Sequence, residues 1–177
     1  MRLPSAASRG DEAYLTEDQL ARILRDTEGD LHEILTFLAR TGARPKEARM
    51  LEARHLFGDK VIFPKSESKG ERDQRVIHFP DEVVALVQRL RLKRPTGPLF
   101  LNGDKPWTAK ALAERCNGFT PYQLRHSFAT LAILRGVDLQ TIAILMGHSN
   151  LKMLSKVYQH IQRCDQHLRS GLERIVA

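Results

Sequence analysis

The chain has 177 residues, of which 42% are apolar and 28% charged, and these values are typical of one soluble globular domain. Lys and Arg outnumber Asp and Glu by 28 to 21, so the formal net charge of +7 favours an anionic partner. The charge is uneven, with −3 in residues 1–43 and +4 in residues 121–163. The second half is therefore the expected site for a polyanion.

Composition also excludes several classes of protein. The two cysteines, Cys116 and Cys164, lie far apart, and no Cys or His cluster has zinc-ligand spacing, so no metal site is predicted. A reduced, cytoplasmic, bacterial-type protein is favoured, and a single disulfide stays open. No apolar run approaches the ~20 residues of a membrane helix, so no membrane partner is expected. The first ten residues lack the apolar centre of a signal peptide.

Residues 1–13 are small, polar and charged and predict a flexible arm or linker. Three helices are predicted between residues 16 and 51. Each begins at a helix-start signal: a capping pair at Thr16 and Gln19, a second pair at Asp30 and Glu33, and Pro45 in a first turn. Gly42 is expected to end the second helix.

The hydrophobic period then changes to that of strands. Residues 60–63 and 75–79 predict an antiparallel hairpin with a long charged turn, and residues 55–57 are a candidate third strand. A short extended piece is expected at residues 98–101. Further helices are predicted over residues 81–92, 109–115, 121–135, 138–146, 151–160 and 162–176. The predicted fold is one mainly α domain with a small antiparallel β-hairpin or sheet insert.

Four segments contain polar residues that a helical core does not require. They contain Arg44 and Glu47 in a sharp corner, Lys69 in the hairpin turn, Tyr122, Arg125 and His126 at a helix start, and His148 and Tyr158 near the end. Each has a plain structural explanation when taken alone, such as a solvated ion pair, a turn lysine or a helix cap. Tyr122 and Arg125 lie three residues apart in the first turns of a helix, where the dipole favours an anion.

Together these segments resemble the tyrosine recombinase, or phage integrase, family across residues 14–165. TGARPKEAR resembles the first arginine box of the family. TPYQLRHSFAT is similar to the second box, HxLRHTFAT, and LMGHSNLKMLSKVYQHI to the last box, LGHxxxxxTxxxYxH. The order and spacing of the three boxes agree with the family.

The resemblance implies a catalytic role for several residues. Arg44 and Arg125 would hold the non-bridging oxygens of a scissile phosphate and stabilise the transition state. Tyr158 would attack phosphorus to give a 3′-phosphotyrosyl link, so neither ATP nor a metal cofactor is expected. Lys69 would protonate the leaving 5′-oxygen, with Lys65 as a rival position.

The resemblance also assigns supporting roles. His148 would hydrogen-bond the phosphate, and Glu47 would orient its neighbours. The usual histidine of the second box is Tyr122 here, and a phenol, with a reference pKa near ~10, is a poor general base. His126, about a hundred degrees around the helix, is expected to pack or bond internally rather than to substitute.

The resemblance implies that residues 14–177 are the catalytic domain and residues 1–13 the interdomain linker of a longer protein, without the N-terminal domain that clamps DNA. A naturally minimal protein is the alternative. The stretch between Trp107 and Thr120 is shorter than usual. The implied partner is double-stranded DNA, with a homotetramer in the longer protein and a monomer for the fragment. The final segment, residues 163–177, is expected to pack on its own domain rather than on a neighbour.

Three functions fit these residues: a site-specific recombinase or integrase, a catalytically weakened DNA-binding regulator of the same fold, and a type IB topoisomerase-like enzyme. Presence of the whole set of implied catalytic residues favours the recombinase. The segment GHSNLKM disfavours the topoisomerase. The motifs do not mark the DNA target or distinguish integration from excision, dimer resolution or transposition, because base readout belongs to other side chains.

Overall fold

A computed structural model of the chain describes residues 14–67 and 74–147. In these ranges the fold is mainly helical with two small antiparallel sheets, as the sequence predicted. The helices are α1 (Glu17–Arg25), α2 (Gly29–Thr41), α3 (Pro45–Met50), α4 (Asp81–Lys93), α5 (Ala109–Arg115), α6 (Pro121–Leu134) and α7 (Leu139–Met146). The strands are β1 (Leu56–Phe57), β2 (Lys60–Phe63), β3 (Arg75–His78), β4 (Leu101–Asn102) and β5 (Lys105–Pro106).

The helix starts test the capping predictions. The Thr16 hydroxyl accepts a hydrogen bond from the Gln19 backbone, and the Gln19 side chain accepts one from the Thr16 backbone, which confirms that capping box. The predicted Asp30 cap is wrong, because α2 begins at Gly29 with Glu28 at the N-cap position, so Asp30 lies inside the first turn. The Asp30 carboxylate instead accepts a 2.6 Å hydrogen bond from the backbone of Gly103, which ties the start of α2 to the β4–β5 turn.

The three-stranded sheet has the order β1-β2-β3 and is antiparallel throughout. Val61 pairs with Ile77, and both side chains are buried, so one face of the hairpin closes the core. The predicted third strand at residues 55–57 is β1, although it begins one residue later. The β4–β5 hairpin was not predicted, because a two-residue strand ending in proline has no β-pattern.

Helix α2 is the central element of the core. Phe37 is completely buried, and its ring lies 5.8 Å from that of Phe79 and 5.1 Å from that of Phe100. Helix α6 packs along α2 and begins with a capping box formed by Thr120 and Gln123. On α6, Leu124 is fully buried, whereas Phe128 and Ala132 are half-buried against the smaller cluster that α7 completes.

Gly42 fixes how closely α6 approaches the end of α2. It ends α2 in the left-handed conformation, with φ +61°. A Cβ atom here would lie 2.5 Å from Cδ1 of Phe128, so only glycine fits this contact. The same close approach lets the Arg125 side chain of α6 reach the Gly42 carbonyl.

Within residues 14–67 and 74–147, none of the helices is long and apolar enough to cross a bilayer.

Gly42→Ala should destabilise the fold strongly. A left-handed alanine costs about 1 kcal/mol, and displacing Phe128 adds about 2 kcal/mol. Gly29→Ala is the matched control, because Gly29 has φ +57° and a Cβ atom there would meet nothing within 4 Å. Urea unfolding should show a clearly larger loss for Gly42→Ala. Equal losses would mean that the Phe128 contact does not constrain residue 42.

Candidate active site

Arg44 lies in the sharp corner between α2 and α3, as the first arginine box predicts. Its backbone is extended, and Pro45 begins the next helix. The Arg44 backbone N–H donates to Oε2 of Glu47 at 2.7 Å, and its Nη1 donates to Oε1 at 2.7 Å. One carboxylate therefore holds both the main chain and the side chain of Arg44. The remaining terminal nitrogen, Nη2, donates to the carbonyl of Gly147 at 3.1 Å.

Arg125 lies on α6 and is almost completely buried, with 2% of its surface exposed. Its Nη1 donates to the Gly42 carbonyl, and its Nη2 donates to the Met146 carbonyl at 2.7 Å. Burial, reinforced by the nearby charge of Arg44, lowers the pKa of Arg125 to about 10. The guanidinium group therefore keeps its charge at neutral pH.

A third arginine, Arg75, joins this pair, and the motifs did not identify it. It is buried at the start of β3. Its Nε lies 3.3 Å from Oε1 of Glu47, and its Nη2 donates to the Leu145 carbonyl at 3.0 Å. Strand alternation is the signal that could have found it, because Arg75 shares a face with buried Ile77.

The C-terminal end of α7 therefore gathers three guanidinium groups. The carbonyls of Leu145, Met146 and Gly147 accept hydrogen bonds from Arg75, Arg125 and Arg44, respectively. The last carbonyls of a helix lack partners within the helix and carry partial negative charge, so they stabilise cations. This helix end directly precedes His148 in the sequence.

Tyr122 faces an open cleft beside the arginines. The cleft has a volume of about 470 Å³, and Arg44, Arg49 and Arg75 also line it. Tyr122 is 51% exposed, whereas Arg125 lies buried one turn further along the helix. The three-residue spacing suggested that both residues could address one ligand. Tyr122 and Arg125 do lie in the same region, but they are not equally accessible to a ligand.

His126 lies nearer to Tyr122 than expected. The two ring centroids are 6.4 Å apart. The expectation that His126 lies well around the helix is wrong relative to Tyr122, because a separation of four residues is close to one full turn. The imidazole is half-buried, and it lies next to the position where the family has its usual histidine.

Several predicted residues lie outside the described part of the chain: Lys69, His148, Tyr158, Cys164, residues 1–13 and the last two predicted helices. Lys65 is described and is exposed in the 3₁₀ turn Lys65–Glu67. Glu67 forms an ion pair with Arg54 at 2.8 Å, and Nε2 of His55 lies 3.0 Å from its other carboxylate oxygen. Within residues 14–67 and 74–147, no three His, Cys, Asp or Glu side chains are grouped to hold a metal ion.

A model of the phage integrase family matches residues 13–164. The chain belongs to the phage integrase family. It is 31% identical over 175 residues to the tyrosine recombinase XerA of Pyrococcus horikoshii, covering 90% of this chain and 60% of that protein. It is 29% identical over 154 residues to the integrase of Escherichia phage P2, covering 85% of this chain and 43% of that protein. The chain thus spans about half the length of these relatives.

The fold of this phage integrase family member is also that of a solved structure. The Tn1549 transposon integrase, in complex with transposon right end DNA, superposes with a TM-score of 0.73 at 21% identity. The match covers 94% of this chain and 67% of the integrase. The predicted tyrosine recombinase fold is therefore confirmed.

Glu47 is the only carboxylate in contact with this arginine cluster among the described residues. Burial acts to raise the pKa of Glu47, but the charges of Arg75 and Arg44 and the Arg44 backbone N–H outweigh it, so the pKa is lowered. Glu47 is therefore ionised at neutral pH. Three guanidinium groups against one carboxylate give this part of the family member a formal charge of +2.

Glu47→Gln should destabilise the protein by about 2 kcal/mol at neutral pH, because two arginines lose a charged acceptor. A lowered folded-state pKa contributes stability above the ordinary value of 4.5, and this contribution is lost as the pH falls through the lowered pKa. The difference between variant and wild type in urea unfolding should therefore shrink below about pH 4.5. Glu82→Gln, at an exposed ion pair with Arg40, should change stability little at any pH. An effect of Glu47→Gln that is independent of pH would contradict the ionised pair.

Proposed function

We propose that residues 14–177 form the catalytic domain of a site-specific DNA recombinase or integrase. It would cleave and rejoin DNA strands through a 3′-phosphotyrosyl intermediate, with neither a metal nor ATP. The observation that carries this proposal is the convergence of Arg44 and Arg125 on adjacent carbonyls at the end of α7. Two distant sequence boxes thereby supply one cluster of positive charge directly before His148.

Charge is the first requirement of phosphodiester transfer, and the arginine cluster supplies it. Arg44 reaches the cleft with 23% of its side chain exposed, so it would contact a non-bridging phosphate oxygen. The buried Arg125 would add a fixed positive charge and N–H donors to the same cluster. Because these groups are already held by backbone carbonyls and Glu47, little reorganisation is needed when negative charge develops in the transition state.

The covalent step belongs to Tyr158 and Lys69. The phenol of Tyr158 would give its proton to a base in the cleft, and its oxygen would attack phosphorus, forming a phosphotyrosyl bond while the bond from phosphorus to the 5′-oxygen breaks. Lys69 would donate the proton that the leaving oxygen takes, and Lys65 is the rival donor. His148 would hydrogen-bond the phosphate. Attack by another 5′-hydroxyl would reverse the step and join a new strand, so the phosphodiester energy is conserved.

Double-stranded DNA is the partner that this chemistry requires. The complex of the Tn1549 integrase with transposon DNA supports this choice, because the two proteins share a fold. The net charge of +7 and the positive cleft agree with it. In the longer protein the active assembly would be a tetramer on two duplexes, and the isolated domain would be a monomer.

A DNA-binding regulator with weakened chemistry is the second candidate, and Tyr122 is the observation that favours it. The family histidine at this position is replaced by a phenol that is half-exposed in the cleft. A phenol can donate a hydrogen bond to phosphate, but it removes a proton poorly at neutral pH. The nucleophile would then lose its proton more slowly.

Tyr158→Phe should abolish covalent attachment to DNA while leaving DNA binding nearly unchanged, because only the attacking oxygen is removed. The assay mixes protein with supercoiled plasmid in EDTA without ATP, quenches with detergent and measures DNA-linked protein. Tyr14→Phe is the matched control, since Tyr14 is exposed at the start of the described chain. An adduct that survives in Tyr158→Phe would remove Tyr158 from its role. Salt-sensitive binding without an adduct in wild type would favour the regulator.

Tyr122→His should preserve the rate of adduct formation or raise it up to about tenfold, because an imidazole can accept a proton at neutral pH. Tyr122→Phe should lower the rate, since it removes the donor and adds no base. Both rates are measured at saturating DNA in the same quench assay. A large loss in Tyr122→His would show that the phenol is matched to its place and that the site is not weakened.

A further inference from the structure

We propose that Arg75 is a positioning residue: it holds Glu47, and through Glu47 the catalytic Arg44, against the C-terminal end of α7. It would therefore set the rate of DNA cleavage and not the affinity for DNA. The inference rests on the proposed function, because it assigns Arg75 a role in the same site. Nothing in the three sequence boxes marks this residue.

The contacts of Arg75 join three elements. Its Nε faces Oε1 of Glu47 on α3 at 3.3 Å, its Nη2 donates to Leu145 on α7 at 3.0 Å, and its Nη1 donates to Val76 on β3 at 2.6 Å. All three nitrogen atoms of the guanidinium group are thus engaged. The side chain is only 8% exposed, so these contacts, and not solvent, determine its orientation.

Glu47 transmits the position of Arg75 to Arg44. Its Oε1 atom is shared, at 2.7 Å from Nη1 of Arg44 and 3.3 Å from Nε of Arg75. If Arg75 were replaced, the Glu47 carboxylate would keep only Arg44 as a partner. The Arg44 guanidinium would then be held by a less rigid carboxylate. Misplacement of a reacting group by about 1 Å can lower a rate about 100-fold.

Gly147 provides independent evidence that the two elements are fitted to each other. A Cβ atom at residue 147 would lie 2.7 Å from Cζ, Nε and Nη1 of Arg75. The α7 end therefore lies directly on the guanidinium plane. The Gly147 carbonyl also accepts the hydrogen bond from Arg44, so the same residue contacts both arginines.

A direct DNA contact is the competing explanation, because Arg75 lines the cleft. If Arg75 contacted a DNA phosphate, its replacement would lower the affinity for DNA and the salt dependence of binding. A positioning residue would leave both unchanged and lower the rate at saturating DNA. A residue that only stabilises the fold would change neither quantity in protein that remains folded.

The first test compares Arg75→Gln and Arg75→Lys in single-turnover adduct formation at saturating plasmid DNA. We expect a loss of about 100-fold for glutamine, and a smaller one for lysine, which keeps the charge but not the planar fork. DNA affinity and its salt slope should match wild type for Arg75→Lys, because lysine keeps the positive charge. Arg89→Gln is the control, since Arg89 pairs with Glu33 and does not line the cleft. Weaker binding with a normal saturated rate, or no change in either, would overturn the proposal.

A double-mutant cycle tests the route through Glu47. Arg75→Gln in a Glu47→Gln background should add little further loss, because the carboxylate that relays its position has already changed. Independent, additive losses would overturn the relay. Thermal unfolding is measured for each variant, so that rates are compared only for folded protein.

A steric test uses Gly147→Ala, which should slow adduct formation in wild type and less so in Arg75→Gln, where the clashing guanidinium is gone. Gly29→Ala is the matched control for left-handed backbone strain, since its φ is +57° and the space around it is open. An equal effect of Gly147→Ala in both backgrounds would show that the Arg75 contact does not matter.

The last measurement separates this inference from the proposed function. In ¹⁵N-labelled protein, the Nε–H signal of Arg44 should shift in Arg75→Gln and not in Arg89→Gln, whether or not the protein cleaves DNA. Wild type that forms no adduct would refute the proposed function, while a shifted Arg44 signal would still support the coupling. An unchanged Arg44 signal would overturn the inference even in an active enzyme.

Discussion

The structure depends on the C-terminal end of α7, where three successive carbonyls hold three arginine side chains. Buried guanidinium groups repel one another, and burial lowers the pKa of Arg75 and Arg125. Glu47 and the negative end of the helix dipole offset this repulsion. The site therefore forms only where α7, the α2–α3 corner and strand β3 meet. The arginine charges are stabilised only when the whole domain is folded.

Close packing at Gly42 makes that meeting possible. Because residue 42 has no side chain, Phe128 can lie against the backbone at the end of α2, and Arg125, three residues earlier on the same helix, reaches the Gly42 carbonyl. The next residues are Ala43, which is buried, and Arg44. The turn at Gly42 therefore allows the close packing of two helices and also places both Arg44 and Arg125.

Local sequence signals were sufficient to predict helix starts and the hairpin. The capping boxes at Thr16 and Thr120, Pro45 at a helix start and the β2–β3 hairpin are all present, because each depends on residues within a few positions. Arg75 was missed, since its partners Glu47 and Leu145 are distant in sequence. Asp30 was predicted to be a helix cap because aspartate is a common capping residue. Its carboxylate instead accepts a hydrogen bond from the backbone of Gly103, 73 residues away.

The arrangement explains why arginine, and not lysine, occupies all three positions. Each guanidinium group bridges two or more acceptors on different elements, which a planar fork can do without reorientation and a single ammonium group cannot. The excess charge of +2 is therefore held at fixed positions before any phosphate arrives. A phosphate in the cleft would reduce the mutual repulsion of the arginines. The same electrostatic imbalance that destabilises the free protein thus favours an anionic ligand, and most strongly one whose negative charge increases during the reaction.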